Sequence, residues 1–196
     1  MNTITLSVRR GSPERSPAAW WQQFDVPLVE ANMSVLDALI WVQRNVDPSL
    51  AFRRACRVGM CGTCGVVVNG REGLACGTPL RSAAGSVARS EDWGGPAGDK
   101  GRTVRVQPLR HLPVIRDLVT DPGLFFDHLR KVDPSLAPSP GLQQPVVLSP
   151  DSRERQTVSP HRECIYCGLC YSACSVAGPL SSVSYTHLTL PTKRIV

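Results

Sequence analysis

The chain has no cysteine between Cys76 and Cys164 and none after Cys174, so its eight cysteines form two short groups. It also lacks the apolar stretch with which a secretory signal peptide begins. No apolar run approaches the roughly 20 residues that cross a membrane. Disulfides are rare in reducing compartments, where closely spaced cysteines more often bind metal. The cysteine distribution therefore predicts two metal-binding loops in a soluble chain.

Aromatic residues are scarce, at 6% of 196 residues, whereas glycine (16) and proline (17) are abundant. This composition favours small, loop-rich domains over one large core. The formal net charge is +6, but the basic residues are scattered and are not interleaved with aromatic side chains that could stack on bases. We therefore expect no nucleic acid partner, and attribute the charge to solvated surface or to docking against an acidic protein.

The first hundred residues alternate strand and helix signals. TITLSVRR alternates apolar and polar residues as a half-buried strand does, and WWQQFDVPLVE is a less regular second strand. Ser34 and Asp37 form a capping box at the start of a helix in MSVLDALIWVQRN. After a cysteine-rich loop, Asn69-Gly70 predicts a hairpin turn, and TVRVQPL predicts a final strand. This order indicates an α+β domain.

The rest of the chain carries weaker signals. Residues 81–102 are rich in Gly, Ala and Ser and predict a long surface loop. Residues 112–121 and 122–132 predict short helices, the second started by Asp121-Pro122. Residues 133–160 contain six prolines and predict an extended connection that leads to the second cysteine group.

The first cysteine group has the spacing C-x4-C-x2-C-x11-C, formed by Cys56, Cys61, Cys64 and Cys76. This is the opening spacing of a plant-type [2Fe–2S] site, whose last ligand comes from the following hairpin. The loop contains Gly59, Gly62 and Gly65. Glycines allow the backbone to wrap tightly around a small cluster and to bring N–H groups close to its sulfides. A four-cysteine zinc site is the alternative, although zinc ribbons usually present two C-x2-C knuckles and this group has one.

The second cysteine group has the spacing C-x2-C-x2-C-x3-C of a bacterial ferredoxin loop, formed by Cys164, Cys167, Cys170 and Cys174. In that pattern the fourth cysteine ligates a different cluster from the first three. Each cluster would then need further ligands from downstream, and no cysteine follows Cys174.

Five stretches, in this order, resemble the iron–sulfur subunit of succinate dehydrogenase and fumarate reductase: LDALIWV, DPSLAFRRACRVGMCGTCG, NGREGLACGTPL, PLRHLPVIRDLVTD and ECIYCGLCYSAC. The resemblance implies an N-terminal β-grasp, plant-type ferredoxin domain over residues 1–107. An α-helical bacterial-type ferredoxin domain, here incomplete, would follow over residues 108–182. Residues 183–196 show no periodicity that fits this fold, and we predict that they are a non-native tail derived from a sequencing adapter.

The same resemblance assigns the cysteines to three clusters. It implies that Cys56, Cys61, Cys64 and Cys76 hold [2Fe–2S]. It implies that Cys164, Cys167 and Cys170 hold three corners of [4Fe–4S], and that Cys174 begins the [3Fe–4S] site. The three further cysteines of the family are not in this chain. We expect no catalytic residue, and we interpret His111, His128 and His161 as surface or packing residues.

By this resemblance the chain relays electrons from FAD on a flavoprotein subunit to a quinone, within succinate:quinone oxidoreductase. The implied partners are that flavoprotein and cytochrome b-type membrane-anchor subunits. The implied location is the cytoplasmic face of the inner membrane, reached through those partners. Three alternatives stay open: a fumarate reductase subunit that works in the reverse direction, a zinc-stabilised binding module without redox function, and a free soluble ferredoxin.

Overall fold

A computed structural model describes residues 3–12, 16–85, 102–132, 147, 149–175 and 177. The strands are β1 (Thr3–Ser12), β2 (Ser16–Pro27), β3 (Gly65–Val68), β4 (Arg71–Leu74), β5 (Thr103–Gln107), β6 (Val114–Arg116) and β7 (Val119–Thr120). The α-helices are α1 (Val35–Asn45), α2 (Leu80–Gly85), α3 (Gly123–Val132), α4 (Arg153–Arg162) and α5 (Leu169–Ala173). A 3₁₀ turn at Ala75–Gly77 follows β4.

The main sheet has the strand order β2-β1-β5-β3-β4. Strand β1 is antiparallel to β2 and parallel to β5, and β3 is antiparallel to both β5 and β4. Helix α1 contributes six buried residues to the core beneath this sheet. The predicted α+β class is confirmed by this mixed sheet with its few helices.

The predicted capping box starts α1. The Ser34 hydroxyl accepts a hydrogen bond from the Asp37 backbone N–H at 3.2 Å, and the Asp37 carboxylate accepts one from the Ser34 N–H at 3.0 Å. These two bonds satisfy N–H groups that have no partner within the helix. The first residue of α1 is therefore fixed by its own local sequence. The apolar face of the helix lies toward the sheet.

The predicted hairpin turn lies between β3 and β4. Asn69 and Gly70 have φ angles of 49° and 80°, the left-handed pair that a two-residue hairpin loop requires. The Asn69 side chain accepts a hydrogen bond from the Arg105 N–H at 2.8 Å and donates one to the Ala83 carbonyl at 2.7 Å. The turn is thereby tied to β5 and α2, which fixes the strand that leads to Cys76.

The prediction of a helix over residues 112–121 is wrong. Strands β6 and β7 form a hairpin there, with Asp117 in the turn at φ 48°. The apolar residues of this stretch recur at helical spacing, but β-branched residues flank the turn. The backbone N–H groups of the turn donate to distant segments instead of to a helix. The Asp117 N–H donates to the Gly11 carbonyl at 2.7 Å, and the Leu118 N–H donates to the Ala51 carbonyl at 3.2 Å. The hairpin is therefore bonded to β1 of the main sheet and to the segment before the first cysteine group.

Other expectations for this half of the chain have mixed outcomes. The helix predicted after Asp121-Pro122 is confirmed as α3, and the Asp121 side chain accepts the Gly123 N–H at 2.8 Å. The prediction of an extended connection is wrong for residues 153–160, which lie in α4. The predicted surface loop begins with α2, and residues 86–101 lie outside the described residues, as do 133–146 and the predicted tail.

A second, smaller core forms where the second cysteine group packs on the segments that follow β5 and β7. Its buried members are Leu109, Leu112, Tyr171 and Ala177, and its half-buried members are Phe125, Leu169 and Cys174. The Tyr171 ring contacts the Phe125 ring edge-on, with centroids 5.9 Å apart. This core packs α5 and α3 against the segment that follows β5, so the two cysteine groups lie on adjoining parts of the fold.

Candidate metal centre

The first cysteine group lies on a loop with little regular structure, shaped by left-handed backbone positions. Arg57, Gly59 and Gly62 have φ angles of 62°, 77° and 69°. The predicted role of Gly59 and Gly62 in a tight loop is consistent with these angles, which glycine adopts without strain. Gly65 differs, because it begins β3 without a left-handed φ angle, and close packing is what limits the size of the residue there. A Cβ added there would lie 3.2 Å from Leu109.

The four cysteines of this group lie in two neighbouring pairs. The Cys61 N–H donates to the Cys56 sulfur at 3.3 Å, and the Cys64 and Cys76 sulfurs are 3.3 Å apart. The hairpin delivers Cys76 as expected, because the Ala75 N–H donates to the Cys64 carbonyl at 3.0 Å and holds the 3₁₀ turn against the loop. Residues up to 20 positions apart in the sequence, from Cys56 to Cys76, thus meet at one place.

The loop environment shifts the thiol pKa values of Cys61 and Cys64 in opposite directions. Hydrogen bonding to the Thr63 hydroxyl, and then to Cys56, lowers the pKa of the exposed Cys61 thiol to about 6. Burial raises the pKa of the Cys64 thiol to about 11. Because the thiolate is the form that binds metal, Cys61 is ready to bind at neutral pH. Cys64 needs the positive charge of a metal centre to displace its proton.

The pairing suits a dinuclear cluster. Each iron of a [2Fe–2S] cluster takes two thiolates and shares two sulfides, so two pairs of cysteines are what it requires. A single zinc ion would instead draw all four thiolates around one point. The residues of the first group therefore fit the [2Fe–2S] cluster.

The second cysteine group also lies on a left-handed loop, followed by α5. Tyr166 and Gly168 have φ angles of 55° and 73°, which curl the chain between Cys164 and α5. The pKa of the Cys170 thiol is raised by desolvation and then by the sulfurs of Cys164 and Cys167. These three predicted ligands are thus near neighbours, and Cys174 stands at the end of α5.

The two cysteine groups are in direct contact. A Cβ atom added to Gly62 would lie 2.7 Å from the Cβ of Cys167 and 2.9 Å from its Cα. A cavity of about 220 Å³ lies beside this contact and is lined by both groups, together with apolar residues. Its lining includes Cys61, Cys64, Cys167, Leu109, Phe125 and Phe126.

Two of the histidines lie around a buried tyrosine of the second core. The ring centroids of His111 and His128 are 6.4 Å and 6.2 Å from that of Tyr171. Desolvation lowers the pKa of His128, which favours its neutral, packed form. The side chain of His161 lies outside the described residues.

Sequence reasoning missed a group of polar residues at the junction of the two groups. Ser172, on α5, donates to the Glu72 carboxylate on β4 at 3.2 Å and accepts from the Arg110 N–H at 2.8 Å. Ser172 and Glu72 are 100 positions apart, and no local pattern connects residues at such a separation.

Comparison with known families agrees with this geometry. The sequence profile of the family described as "2Fe-2S iron-sulfur cluster binding domain" matches residues 5–127, which include every cysteine of the first group. The chain belongs to this family.

Curated proteins similar to this chain are named as iron–sulfur subunits, which confirms the predicted resemblance of the chain. It is 37% identical to the fumarate reductase iron-sulfur subunit of Mycobacterium tuberculosis (strain CDC 1551 / Oshkosh), over 90% of this chain and 65% of the relative. It is 33% identical to the mitochondrial succinate dehydrogenase [ubiquinone] iron-sulfur subunit 1 of Oryza sativa subsp. japonica, over 88% of this chain and 56% of the relative.

A solved structure has a similar fold. A chain of the Mycobacterium smegmatis Sdh1 complex in the apo form aligns with a TM-score of 0.69 and 30% identity, over 89% of this chain and 64% of that one. The present chain therefore spans just over half to about two thirds of the relatives' lengths. Of the helices that the structure describes, none is both long and apolar enough to cross a membrane.

Proposed function

We propose that the chain is the electron-transfer iron–sulfur subunit of a succinate:quinone oxidoreductase. In this role it passes electrons from an FAD-containing flavoprotein toward a quinone, and has no substrate-converting site of its own. The observation that carries the proposal is the direct contact between a paired four-cysteine site and a second ferredoxin-type cysteine loop, in a chain whose relatives are named for such subunits.

We assign Cys56, Cys61, Cys64 and Cys76 as the ligands of [2Fe–2S] in a β-grasp, plant-type domain. When bound, this cluster supplies a centre that gains and loses one electron. The chain's own residues shape the site: the left-handed glycines bring backbone N–H groups toward the sulfurs, and burial of Cys64 keeps water from one side. These features stabilise added negative charge and so tune the reduction potential.

We assign Cys164, Cys167 and Cys170 to [4Fe–4S] and Cys174 to [3Fe–4S]. The support is their ferredoxin spacing and the curled loop that brings the first three together. The division into domains at residues 1–107 and 108–182, and the adapter origin of residues 183–196, stay predictions. The turn between β6 and β7 lies in the second of these ranges, but its Asp117 N–H donates to the Gly11 carbonyl of β1.

The partners we propose are the flavoprotein, the cytochrome b-type membrane anchor and the quinone. The cysteine loop supports docking of a partner close to the first site, because Val58 is 70% exposed and Met60 74% exposed beside Cys61. Exposed apolar side chains that flank a functional group are typical of protein contacts. Attachment through such partners would hold the chain at the cytoplasmic face of the inner membrane.

A second candidate function is the reverse reaction, as a fumarate reductase subunit. The Mycobacterium tuberculosis relative, named as such a subunit, favours it. The two functions place the same residues in the same roles. They differ in the direction in which electrons cross the subunit.

The test is reconstitution of the full 196-residue chain with ferrous iron and sulfide under anaerobic conditions. We expect a reddish-brown protein with about two irons and two labile sulfides at the first site. Succinate should then bleach the visible absorption only when a purified FAD-containing succinate dehydrogenase flavoprotein is added. A colourless product that retains zinc would support the zinc-stabilised module instead, and bleaching without the flavoprotein would contradict the proposed partner.

A further inference from the structure

The contact between Gly62 and Cys167 leaves no room for a side chain between the two cysteine groups. An added Cβ would lie below 3.0 Å from two atoms of Cys167. A second close approach lies beside it, because a Cβ on Gly65 would be 3.4 Å from the Cys167 carbonyl oxygen. The distance between the two cysteine groups therefore depends on the contacts that hold the second cysteine loop against the first.

A partly buried polar cluster joins helix α5 to β4. We call Glu72, Arg110 and Ser172 the junction clamp. Ser172 donates to Glu72 at 3.2 Å, the Arg110 N–H donates to the Ser172 hydroxyl at 2.8 Å, and the Arg110 guanidinium lies 3.4 Å from the Glu72 carboxylate. Arg110 also donates to the Gly70 carbonyl at 3.1 Å. The clamp thus joins the β3–β4 hairpin, the segment after β5 and helix α5.

The clamp is shielded from water. Ser172 is 1% exposed, and the side chains of Glu72 and Arg110 are 12% and 19% exposed. Charge-assisted hydrogen bonds are strongest in such surroundings, whereas exposed ion pairs contribute little. Since Ser172 lies between Cys170 and Cys174, a bond to its hydroxyl holds the helix that carries the second cysteine group.

We propose that Glu72, Arg110 and Ser172 are positioning residues that hold the second cysteine group against Gly62, and so set the distance an electron crosses between the two sites. This inference rests on the proposed function. If both groups held their clusters, an electron passing between them would cross the Gly62–Cys167 contact, with no proton moved and no bond made. In this proposal the three residues act by holding helix α5 in position.

The first experiment needs no cluster. Amide hydrogen exchange of the full cluster-free chain is compared for wild type, Glu72→Gln, Glu72→Ala and Ser172→Ala. Loss of a buried, charge-assisted bond should speed exchange in residues 166–174 by about tenfold in the two alanine variants, with Glu72→Gln between them and wild type. The matched control is Asp127→Ala, which breaks the exposed Asp127–Arg130 pair on α3 and should leave residues 166–174 unchanged.

The second experiment measures proximity. In the chain reconstituted with [2Fe–2S] and reduced, the paramagnetic centre should broaden the amide resonances of residues 166–168 beyond detection in wild type. The clamp variants should recover those resonances while keeping the visible spectrum of the cluster. Wild-type exchange together with wild-type broadening in Glu72→Ala and Ser172→Ala would overturn the inference. Failure to form the cluster would instead overturn the proposed function, and the exchange data would still decide the role of the clamp.

Discussion

Arg10 and Asp117 form a buried ion pair across 107 positions of sequence, with Nε and Oδ1 2.9 Å apart. Their side chains are 6% and 3% exposed. The other Asp117 bonds satisfy backbone groups, since its carboxylate accepts the Gly11 N–H at 3.1 Å and the Ala51 N–H at 2.9 Å. One carboxylate thus joins β1, the segment before the first cysteine loop and the β6–β7 hairpin.

Replacement of this carboxylate should be strongly destabilising. In Asp117→Ala the Arg10 charge stays buried without that partner, and two backbone N–H groups lose their acceptor. Arg10 keeps Asp47 as a second partner at 2.6 Å, so the loss is one charge-assisted hydrogen bond and two backbone acceptors, together about 3–5 kcal/mol. We expect the free energy of unfolding to fall by about that amount in urea titrations followed by circular dichroism.

The control is Asp127→Ala, whose partner Arg130 is 76% exposed on its side chain. This change should alter the free energy of unfolding by at most about 1 kcal/mol, because exposed pairs contribute little. Equal losses in the two variants would show that burial of the Arg10–Asp117 pair has no energetic consequence.

Acid should weaken the same region through Asp47. Hydrogen bonding from the Ser49 hydroxyl, and after it from Arg10, lowers the pKa of the Asp47 carboxyl from 3.8 to about 2, against the opposing effect of burial. A carboxyl whose pKa is lower in the folded chain stabilises it above the unfolded value, and this contribution is lost as the pH falls through the folded value. The loss should therefore occur between about pH 4 and pH 2.

The measurement is urea unfolding of the cluster-free chain at pH 5 and at pH 2.5, for wild type and Asp47→Asn. The stability difference between the two proteins should be clear at pH 5 and much smaller at pH 2.5. A difference that is equal at both values would contradict the lowered pKa of Asp47.

The sequence predicted the parts of the fold whose signals are local. The capping box of Ser34 and Asp37 and the turn at Asn69-Gly70 each depend on a few adjacent residues, and both are present. Arg10 shows the limit of such reasoning. The alternation of β1 places it on the inward face, but its partner comes from a hairpin that was predicted as a helix. A turn stabilised by bonds to Gly11 and Ala51 is invisible to a local pattern.

The features of the candidate site also divide into those with local sequence signals and those that depend on distant packing. The spacing of the first cysteine group predicted that its four cysteines meet, because the loop and hairpin that carry them are close in sequence. The contact of Gly62 with Cys167, and the clamp at Ser172, depend on how distant segments pack. Spacing within each group contains no information about the distance between the groups.

Serine substitutions should separate the two cysteine groups functionally. Cys64→Ser removes one thiolate of the Cys64–Cys76 pair, so the reconstituted chain should lose most of the iron, labile sulfide and visible absorption of its first site. Cys164→Ser is the matched change in the other group and should leave the [2Fe–2S] spectrum intact. Loss of that spectrum in Cys164→Ser, or its retention in Cys64→Ser, would contradict the ligand assignment.

Two glycines of the cysteine loop allow backbone strain to be separated from crowding. Gly59 and Gly62 both have left-handed φ angles, so alanine at either should cost about 1–2 kcal/mol of stability from conformation alone. At Gly59 the nearest atom to an added Cβ is a Leu74 side-chain carbon at 4.0 Å, whereas at Gly62 it is the Cβ of Cys167 at 2.7 Å.

Gly62→Ala should therefore be more destabilising than Gly59→Ala, by a further amount of about 1–3 kcal/mol for overpacking. The added methyl group should also push the Cys167 loop away, so amides of residues 166–168 should exchange faster in Gly62→Ala than in Gly59→Ala. The comparison is made by urea unfolding and hydrogen exchange on the cluster-free chain. Because both variants carry the same backbone strain, any difference between them measures the contact between the two cysteine groups, and equal behaviour would mean that the groups do not touch.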